Sequence, residues 1–336
     1  MKICVVGAGA IGGLLAVHLA EAGEEVTVID QGAHLEAIQR SGLKLLMADG
    51  SEHLTHSLQA LASIREAGRQ DVVILAVKSQ VLPEIAPELD SLMGNDTVIV
   101  PMQNGLPWWY FHKHGGEYDG RPIECLDPDG TLTAHIDSDR LIGCVVFPAG
   151  EIVSPGVVRH AEGNRFPLGE LDGSDSERAQ SLVATLTKAG FKSFVIDDIR
   201  AEIWLKLVGN LSFNPISALS HATLVDICQY PPSRALTQSL MEEAQAVANR
   251  LGVTLRVSIE RRIAGGEKVG KHKTSMLQDV EAGRGLELEA LMGAVVELGL
   301  LTGISTPGID TIYALTRLLD KTMREDHGAV QMRSIA

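Results

Sequence analysis

One lysine and two asparagines share a face of a predicted helix. Lys206, Asn210 and Asn214 recur every four residues in an otherwise apolar segment, so they line one stripe of a helix while apolar side chains cover the rest. A solvated helix face would give the same stripe, but such faces usually carry Glu, Lys, Gln and Arg, whereas asparagine is a weaker helix former. The pattern therefore favours a hydrogen-bonding pocket wall.

A lysine in such a wall is suited to acid catalysis. Partial desolvation lowers the pKa of a lysine towards neutrality, so the ammonium can give a proton to a developing alkoxide while its charge attracts a carboxylate. Lys206 is accordingly the candidate proton donor. This chemistry suits the reduction of a ketone.

A second polar cluster lies further along the chain. Ser275 to Gln278 have the spacing of a helix capping box, so Ser275 is either a cap or a ligand-binding hydroxyl. Glu287 lies at helical spacing among apolar residues, with only Arg284 charged, and a carboxylate on an apolar face needs a partner. That partner is Arg284 one turn back, or a lysine or ribose brought in by the fold.

Asn104 stands at the end of another predicted strand. The carboxyl edge of a parallel sheet is where ligands bind, although Asn-Gly is also a common turn. The following residues, Trp108 to Phe111, are all aromatic in a chain with only 4% aromatic residues. We expect this loop to line a substrate mouth or a partner surface.

A glycine-rich loop near the N-terminus predicts a dinucleotide site. Gly7-Ala8-Gly9-Ala10-Ile11-Gly12 form a G-x-G-x-x-G between a predicted strand and a predicted helix. The glycines permit a tight turn, approach of a pyrophosphate to the backbone and close packing of helix on strand. Asp30, at the end of the second predicted strand, is placed to accept a hydrogen bond from a ribose 2′-hydroxyl. The alternative is a glycine-rich turn beside a surface aspartate.

The residues around Asp30 favour NAD over NADP. A carboxylate repels a 2′-phosphate, and the next residue is Gln31 rather than an arginine. Lys78 follows the apolar run Val72 to Val77, at the ligand edge of the sheet. It either contacts the cofactor or is a solvated lysine at a strand end.

These side chains require a parallel sheet followed by helices to position them. The predicted strands are Ile3 to Val6, Val26 to Ile29, Val72 to Val77, Thr97 to Pro101, Ile142 to Phe147 and Phe194 to Ile196. The later predicted helices are Ala201 to Leu219, Arg234 to Leu251, Ser275 to Glu297 and Ile309 to Met323. Strands that alternate with helices indicate a parallel sheet covered on both faces. We therefore predict an α/β fold, with a Rossmann dinucleotide-binding domain over residues 1–198 and an all-helical substrate and catalytic domain over residues 199–330.

Composition excludes several other classes of protein. The 336 residues carry 29 basic and 43 acidic side chains, a formal charge of −14, which disfavours nucleic acid and anionic membrane surfaces as partners. No apolar segment reaches the ~20 residues of a membrane span, and glycines interrupt the N-terminal apolar stretch of an otherwise signal-like segment. The four dispersed cysteines are typical of a reducing cytoplasm. No compact ligand spacing predicts a metal.

Together these residues resemble the ketopantoate reductase (2-dehydropantoate 2-reductase) family over nearly the whole chain. The motifs that carry the resemblance are Gly7 to Gly12, Ala76-Val77-Lys78, Gln103-Asn104-Gly105, the stretch from Pro155-Gly156 to Gly169-Glu170, Lys206 with Asn210 and Asn214 before Pro215, and Ser275 to Asp279 with Glu287. The resemblance implies hydride transfer from a reduced nicotinamide cofactor to a 2-keto acid, as in the reduction of ketopantoate to pantoate for pantothenate biosynthesis.

The resemblance also implies roles for individual residues. Lys206 is the proton donor, Asn210, Asn214 and Ser275 hold the substrate, and Asn104 and Glu287 lie beside cofactor and substrate, with Glu287 a second catalytic candidate. The chain departs from the family pattern at three places: Asp30-Gln31 replace the arginine that binds a 2′-phosphate, Leu224 stands where some members have a substrate asparagine, and the Trp108 to Phe111 loop is additional.

Two other functions are compatible with the same residues. One is an NAD-dependent D-2-hydroxyacid dehydrogenase of this family that acts on a branched or aromatic substrate. The other is a non-catalytic dinucleotide-binding sensor that uses the aromatic loop as a protein interface, although a sensor does not need a proton donor. A homodimer is compatible with the sequence, which does not determine the oligomeric state.

Overall fold

The computed structural model describes residues 1–332 of the chain. These residues form two compact units, which are described separately. Unit 1 comprises Met1–Gln103, Trp108–Pro122 and Asp127–Ile199, and unit 2 comprises Asn104–Pro107, Ile123–Leu126 and the chain from Arg200 onward. Two short segments of the N-terminal half thus belong to unit 2. The predicted single boundary after residue 198 assigns both of them to the first domain.

All the strands of the described residues lie in unit 1. They are β1 (Lys2–Val6), β2 (Glu25–Ile29), β3 (Leu43–Leu46), β4 (Glu52–Thr55), β5 (Leu58–Leu61), β6 (Gln70–Leu75), β7 (Met93–Pro101), β8 (Gly143–Cys144), β9 (Ala149–Ser154), β10 (Val157–Glu162), β11 (Arg165–Gly169) and β12 (Lys192–Val195).

Helices accompany the strands in unit 1 and make up unit 2. The first group is α1 (Ala10–Glu21), α2 (Gly32–Ser41), α3 (Leu82–Ile85), α4 (Thr131–His135) and α5 (Glu177–Lys188). The second group is α6 (Ile199–Ser220), α7 (Leu224–Gln229), α8 (Pro231–Arg250), α9 (Ile259–Val269), α10 (Ser275–Glu281), α11 (Ala294–Thr302) and α12 (Pro307–Glu325). No helix within residues 1–332 has the length and apolar character needed to cross a membrane.

The central sheet of unit 1 is parallel and buried. Its strands run in the order β5-β2-β1-β6-β7, and every neighbouring pair is parallel. The middle strand, β1, is buried from Ile3 to Val6, as expected for a strand whose continuous apolar run is covered on both faces. The predicted α/β fold, with a Rossmann-type sheet followed by a helical region, is confirmed.

One predicted strand is much shorter than expected. The run Ile142 to Phe147 forms a regular ladder with β11 only at Gly143–Cys144. Beyond it, Val145 N–H still donates to the Pro167 carbonyl at 3.2 Å, but a proline has no N–H to return the bond. The antiparallel ladder therefore becomes irregular at Pro167.

The helix predicted from Ser275 to Glu297 is wrong as a single element. The helix α10 ends at Glu281, and Gly283 follows with φ of +65°, a left-handed conformation that ends helices and suits glycine. Residues 284–287 are irregular, and the chain resumes as a π-helix at Glu289–Gly293 that leads into α11. Apolar spacing alone did not reveal this interruption.

The aromatic segment, which we expected to line a substrate mouth or a partner surface, is buried. Trp108, Trp109, Tyr110 and Phe111 are all buried. The Tyr110 and Phe111 rings pack edge to face with centroids 5.0 Å apart, and Phe111 also contacts His114. The segment provides core packing in unit 1 and offers no aromatic surface to a protein partner.

Unit 1 contains a buried ion pair directly after β11. The Glu170 carboxylate is 5% exposed, and it accepts from Arg178 Nε at 2.7 Å, Arg178 Nη2 at 2.6 Å and Ser176 Oγ at 2.5 Å. Burial raises the pKa of Glu170, but the hydrogen bonds from Arg178 and Ser176 outweigh burial and hold the pKa below its ordinary value. The ion pair therefore stabilises the folded state when Glu170 is ionised.

Loss of this partner should destabilise unit 1 in a pH-dependent way. We expect Arg178→Met to lower the free energy of unfolding by about 2 to 3 kcal/mol at neutral pH, because a buried carboxylate loses its cation while partial exposure of Arg178 moderates the cost. Because the pKa of Glu170 is lowered in the folded state, its ionisation stabilises the fold at pH values above the ordinary pKa of 4.5. This stabilisation is lost as the pH falls through the pKa of the folded state. The deficit should therefore shrink in acid.

Urea unfolding followed by circular dichroism at neutral and acidic pH measures this effect. Arg159→Met is the matched control, since its ion pair with Glu151 is exposed and should contribute less than about 1 kcal/mol. Equal losses for the two variants, or a deficit independent of pH, would contradict the assignment.

Candidate active site

The glycine loop connects β1 to α1 with little space for side chains. Gly7 has φ of +99°, and a Cβ there would lie 3.0 Å from the Ala76 backbone. A Cβ at Gly12 would lie 1.8 Å from the Gly7 carbonyl oxygen, so α1 packs against the turn at a distance that only glycine allows. At Gly9, by contrast, nothing lies within 4 Å of a Cβ position. The loop thus leaves open space at its second glycine, where a pyrophosphate would approach the backbone.

Asp30 holds the glycine loop from the end of β2. Its Oδ2 accepts from Ala8 N–H at 2.7 Å and its Oδ1 accepts from Gln31 N–H at 2.7 Å. A carboxylate has about four acceptor positions, so two backbone bonds leave capacity for ribose hydroxyls. Gln31 is exposed beside it. The aspartate is therefore not the isolated surface residue of the alternative interpretation.

His34 belongs to the same hydrogen-bond network and was missed from sequence. Its Nδ1 accepts from Gly156 N–H at 3.1 Å, and its Nε2 lies 3.0 Å from the Ala8 carbonyl oxygen. Because Nδ1 accepts, the proton of the neutral ring is on Nε2 and is donated to Ala8. The signal in the sequence is the position of His34, one helical turn after Asp30 at the start of α2.

Lys78 lies beyond the end of β6, directly after Val77, whose side chain is close to Gly7 of the glycine loop. It precedes a short 3₁₀ turn at Ser79–Val81 and is partly buried. Ala76, two residues before it, donates its N–H to the Val6 carbonyl at 2.8 Å. The lysine thus stands at the ligand edge of the sheet, as a cofactor contact requires.

The chain after β7 carries Asn104 into unit 2. Gln103 Nε2 first donates to the Leu75 and Val77 carbonyls at 2.8 Å each, which ties the end of β7 to the end of β6. Gly105 then has φ of +91°, and a Cβ there would lie 2.3 Å from the Ala290 carbonyl oxygen. The turn expected for Asn-Gly is present, and it also places the asparagine at a polar contact.

That contact joins Asn104 to the candidate proton donor. Lys206 Nζ donates to Asn104 Oδ1 at 2.5 Å, and Lys206 is partly buried on α6. An ammonium group has three donors, and an amide oxygen at this distance fixes its direction. The structure therefore brings together two residues that are far apart in sequence and that were both singled out from it.

The two asparagines of the α6 stripe are not on a solvated face. Asn214 is only 6% exposed and Asn210 is partly buried, whereas Trp204, Leu207 and Leu211 are buried around them. Neither side-chain amide has a hydrogen-bond partner among residues 1–332. Buried or half-buried amides are normally satisfied, so this pair is suited to a ligand.

Ser275 and Glu287 have different surroundings from those predicted. Thr274, not Ser275, caps α10, since its hydroxyl accepts from Leu277 N–H at 3.3 Å; Ser275 is exposed as the first helical residue, so the capping-box interpretation is wrong. Glu287 is partly buried in the irregular stretch, and Arg284 pairs with Asp279 Oδ1 at 2.7 Å. No helix runs through residues 284–287, so Arg284 does not precede Glu287 by one helical turn.

Within the described residues, no cluster of three or more His, Cys, Asp or Glu side chains is arranged to hold a metal ion. The side chains brought together at Lys206 are an oriented ammonium group and an amide, with two further amides on the same helix. These groups can bind a carbonyl compound and supply a proton to it.

Comparisons with known proteins agree on one family. The profile for ketopantoate reductase PanE/ApbA matches residues 3–173, and the profile for its C-terminal part matches residues 198–320. A 2-dehydropantoate 2-reductase of Mesorhizobium japonicum is 49% identical over 320 residues, which are 95% of this chain and 98% of that protein.

Solved structures give the same result for the fold. A crystal structure provisionally described as a ketopantoate reductase from Ralstonia solanacearum MolK2 is 40% identical, with a TM-score of 0.91 over 96% of this chain and 98% of that one. A structure of D-mandelate dehydrogenase with NADH and anilino(oxo)acetate is 21% identical, with a TM-score of 0.81 over 96% of this chain and 99% of that one. The second likeness shows a shared fold alone.

The glycine loop predicts a difference between two substitutions. Gly9→Ala should leave the thermal unfolding midpoint unchanged, because its Cβ enters open space, yet it should raise the Kd for a nicotinamide dinucleotide at least ~10-fold by obstructing the pyrophosphate. Gly12→Ala should lower the unfolding midpoint as well, because its Cβ meets the Gly7 carbonyl.

Differential scanning fluorimetry with and without dinucleotide, together with titration calorimetry, separates the two effects. Gly23→Ala is unsuitable as a control because its φ is +86°, so Gly265→Ala in α9, where a Cβ also meets nothing within 4 Å, serves instead. Unchanged affinity in Gly9→Ala would contradict a pyrophosphate at the loop.

Proposed function

The chain belongs to the ketopantoate reductase family, and from this premise we propose that it reduces a 2-keto acid such as ketopantoate to the corresponding 2-hydroxy acid. The protein is an oxidoreductase that uses a nicotinamide cofactor. The observation that carries the assignment is the Lys206 ammonium group, held 2.5 Å from Asn104 on a helix whose two asparagine amides have no partner in the described residues. Reduction of a ketone needs an oriented acid to protonate its oxygen, and amides without a protein partner can bind the substrate.

The residues divide the reaction between them. When bound, the reduced nicotinamide supplies the hydride that adds to C2 of the keto acid. The backbone N–H groups of the glycine loop and the N-terminus of α1 hold the pyrophosphate, while Asp30 accepts from the ribose. Lys206 donates a proton to the oxygen that becomes an alkoxide as the hydride arrives, so ketone, hydride and proton together give the alcohol.

The remaining candidates bind and orient the reactants. Asn210 and Asn214 are suited to hydrogen bonds with substrate oxygens, and the exposed Ser275 hydroxyl at the start of α10 is available for the same purpose because Thr274 serves as the cap. Asn104 fixes the direction of the lysine ammonium group. We assign Glu287 to the cofactor or substrate end of the site, as the family resemblance implies, and Lys78 to the cofactor.

A non-catalytic sensor is less well supported than an enzyme. A sensor would use the aromatic segment from Trp108 to Phe111 as its protein interface, but this segment is buried. We also propose a cytoplasmic location, because the four cysteines form no disulfide within residues 1–332. A homodimer stays a prediction.

The proposed reaction predicts a specific loss in one variant. A panel of pyruvate, 2-oxobutanoate, 2-oxoisovalerate, benzoylformate and ketopantoate, assayed by oxidation of the reduced nicotinamide, should contain at least one substrate. With it, Lys206→Ala should lower kcat by ~10²-fold or more, since general acid catalysis is worth that much, and should leave the Kd for the dinucleotide nearly unchanged.

Lys268→Ala is the matched control, because this lysine is exposed on α9 and should retain full activity. A Lys206→Ala enzyme with most of its kcat would show that another group is the acid. Turnover of imines or aldehydes without turnover of any keto acid would reject the proposed function, and a preference for benzoylformate would favour an aromatic 2-hydroxy acid as the natural product.

We further propose NAD as the cofactor. The Asp30 carboxylate already accepts from the Ala8 and Gln31 N–H groups, and its charge at the ribose would repel a 2′-phosphate. The neutral, exposed Gln31 does not offset that repulsion. Loss of a charge-assisted hydrogen bond and added repulsion should favour NADH over NADPH by at least ~10-fold in kcat/KM.

Substitution at these two positions should reverse the preference. Asp30→Ala with Gln31→Arg should shift kcat/KM towards NADPH, and Gln31→Arg alone should shift it part of the way without removing the acceptor of the Ala8 hydrogen bond. Gln31→Met, which adds no charge, should leave the preference unchanged. A wild-type protein that uses NADPH better than NADH would show that Asp30 does not bind the ribose as proposed.

A further inference from the structure

Arg262, on α9, packs against the helix that carries Lys206. Its Nη2 lies 3.5 Å from the Lys206 carbonyl oxygen, and a Cβ at Gly209 would lie 2.3 Å from the same Nη2. Glycine at position 209 is therefore what allows the guanidinium group to rest on the backbone of α6. The Arg262 guanidinium group thus lies against the turn of α6 that follows the candidate proton donor.

The charge of Arg262 has no neutralising partner in the described part of the chain. No carboxylate within residues 1–332 forms an ion pair with it, and its side-chain hydrogen bond is the long contact to the Lys206 carbonyl. The Glu202 carboxylate, whose field acts on Arg262, is already paired with Arg256. Four or more of the five guanidinium N–H donors are thus open to another acceptor.

The surroundings of Arg262 make this arrangement costly in the absence of an anion. Burial lowers the pKa of Arg262 below its ordinary value, and the attraction of Glu202 offsets only part of that effect. A partly desolvated cation normally has a carboxylate or another anion beside it. Lys206 on α6 and Arg262 on α9 are also two cations on helices in contact, in a chain of formal charge −14, and local positive charge attracts anions.

We propose that Arg262 binds the carboxylate of the substrate while Lys206 approaches its ketone oxygen. A 2-keto acid places its carboxylate directly beside the ketone, so a cation on α9 can hold the carboxylate while a cation on the same stretch of α6 reaches the ketone. A guanidinium offers parallel N–H donors that match the two oxygens of a carboxylate, whereas an ammonium is a point charge suited to one oxygen. The inference rests on the proposed function and makes Arg262 a residue that determines specificity for acids.

This role predicts a selective effect on charged ligands. In Arg262→Met, the KM for the best keto acid of the panel should rise at least ~30-fold, since a charge-assisted pair is lost, whereas the Kd for the dinucleotide should not change. Inhibition by oxamate, a non-reacting analogue with a carboxylate, should weaken by a similar factor. Inhibition by oxamide, which is neutral, should change less than ~3-fold. Arg262→Lys should lie between wild type and Arg262→Met.

Arg261→Met is the matched control, because it removes the same charge from an exposed neighbour on the same helix and should leave all these values unchanged. A purely structural role for Arg262 would weaken oxamate and oxamide inhibition alike, and that result would overturn the proposal. So would a folded Arg262→Met enzyme with wild-type KM and oxamate inhibition.

The test also separates this inference from the proposed function. If wild-type protein reduces no keto acid, the proposed function fails; if it reduces one and Arg262→Met does so with unchanged KM, only the role of Arg262 fails. Should Arg262→Met not fold, Gly209→Ala gives an independent measurement, because its Cβ would displace the guanidinium group from α6 without removing the charge. It should show the same selective loss of oxamate inhibition, and unchanged inhibition would overturn the proposal.

Discussion

The candidate active site depends on the hydrogen bond between Lys206 Nζ and Asn104 Oδ1. Asn104 reaches the lysine because the chain after β7 belongs to unit 2, where Leu106 N–H donates to the Ala290 carbonyl at 2.7 Å. Gly105 permits this contact for two reasons. Its backbone is left-handed, and it has no Cβ that would clash with Ala290. The Ala290 carbonyl itself lies in a π-helical turn, a type of distortion that is frequent at functional sites.

The candidate polar residues of the two units differ in how many hydrogen bonds they form within the protein. Asp30 and His34 form hydrogen bonds with the backbone around the glycine loop, so they fix the shape of this turn without a ligand. Asn210, Asn214 and Arg262 have few or no partners within residues 1–332. Because unsatisfied polar groups are costly in a protein interior, the lack of partners around the second set supports the proposal that these residues bind a polar, anionic substrate.

Local sequence patterns predict the wrong structure where a backbone break or a tertiary contact determines the conformation. The apolar spacing from Ser275 to Glu297 is helical on both sides of Gly283, but the left-handed glycine ends the first helix and moves Glu287 off any helical face. The hydroxyl at 275 fits a capping box, yet the preceding Thr274 makes the cap. The aromatic residues from Trp108 to Phe111 are buried in the core, where the rings of Tyr110 and Phe111 pack against each other.

The sequence by itself determined the fold class, the glycine loop and the stripe on α6, because each of these rests on short-range geometry: a turn that needs glycine, a buried strand that needs an apolar run, and a helix that repeats every 3.6 residues. The tertiary structure alone decided that Asn104 belongs with Lys206 and that Arg262 lies over Gly209. These contacts join segments far apart in the chain, and no local spacing encodes which distant side chain will stand beside a given helix turn. Their chemistry follows from packing, which sets the neighbours and the exposure that give a cation or an amide its role.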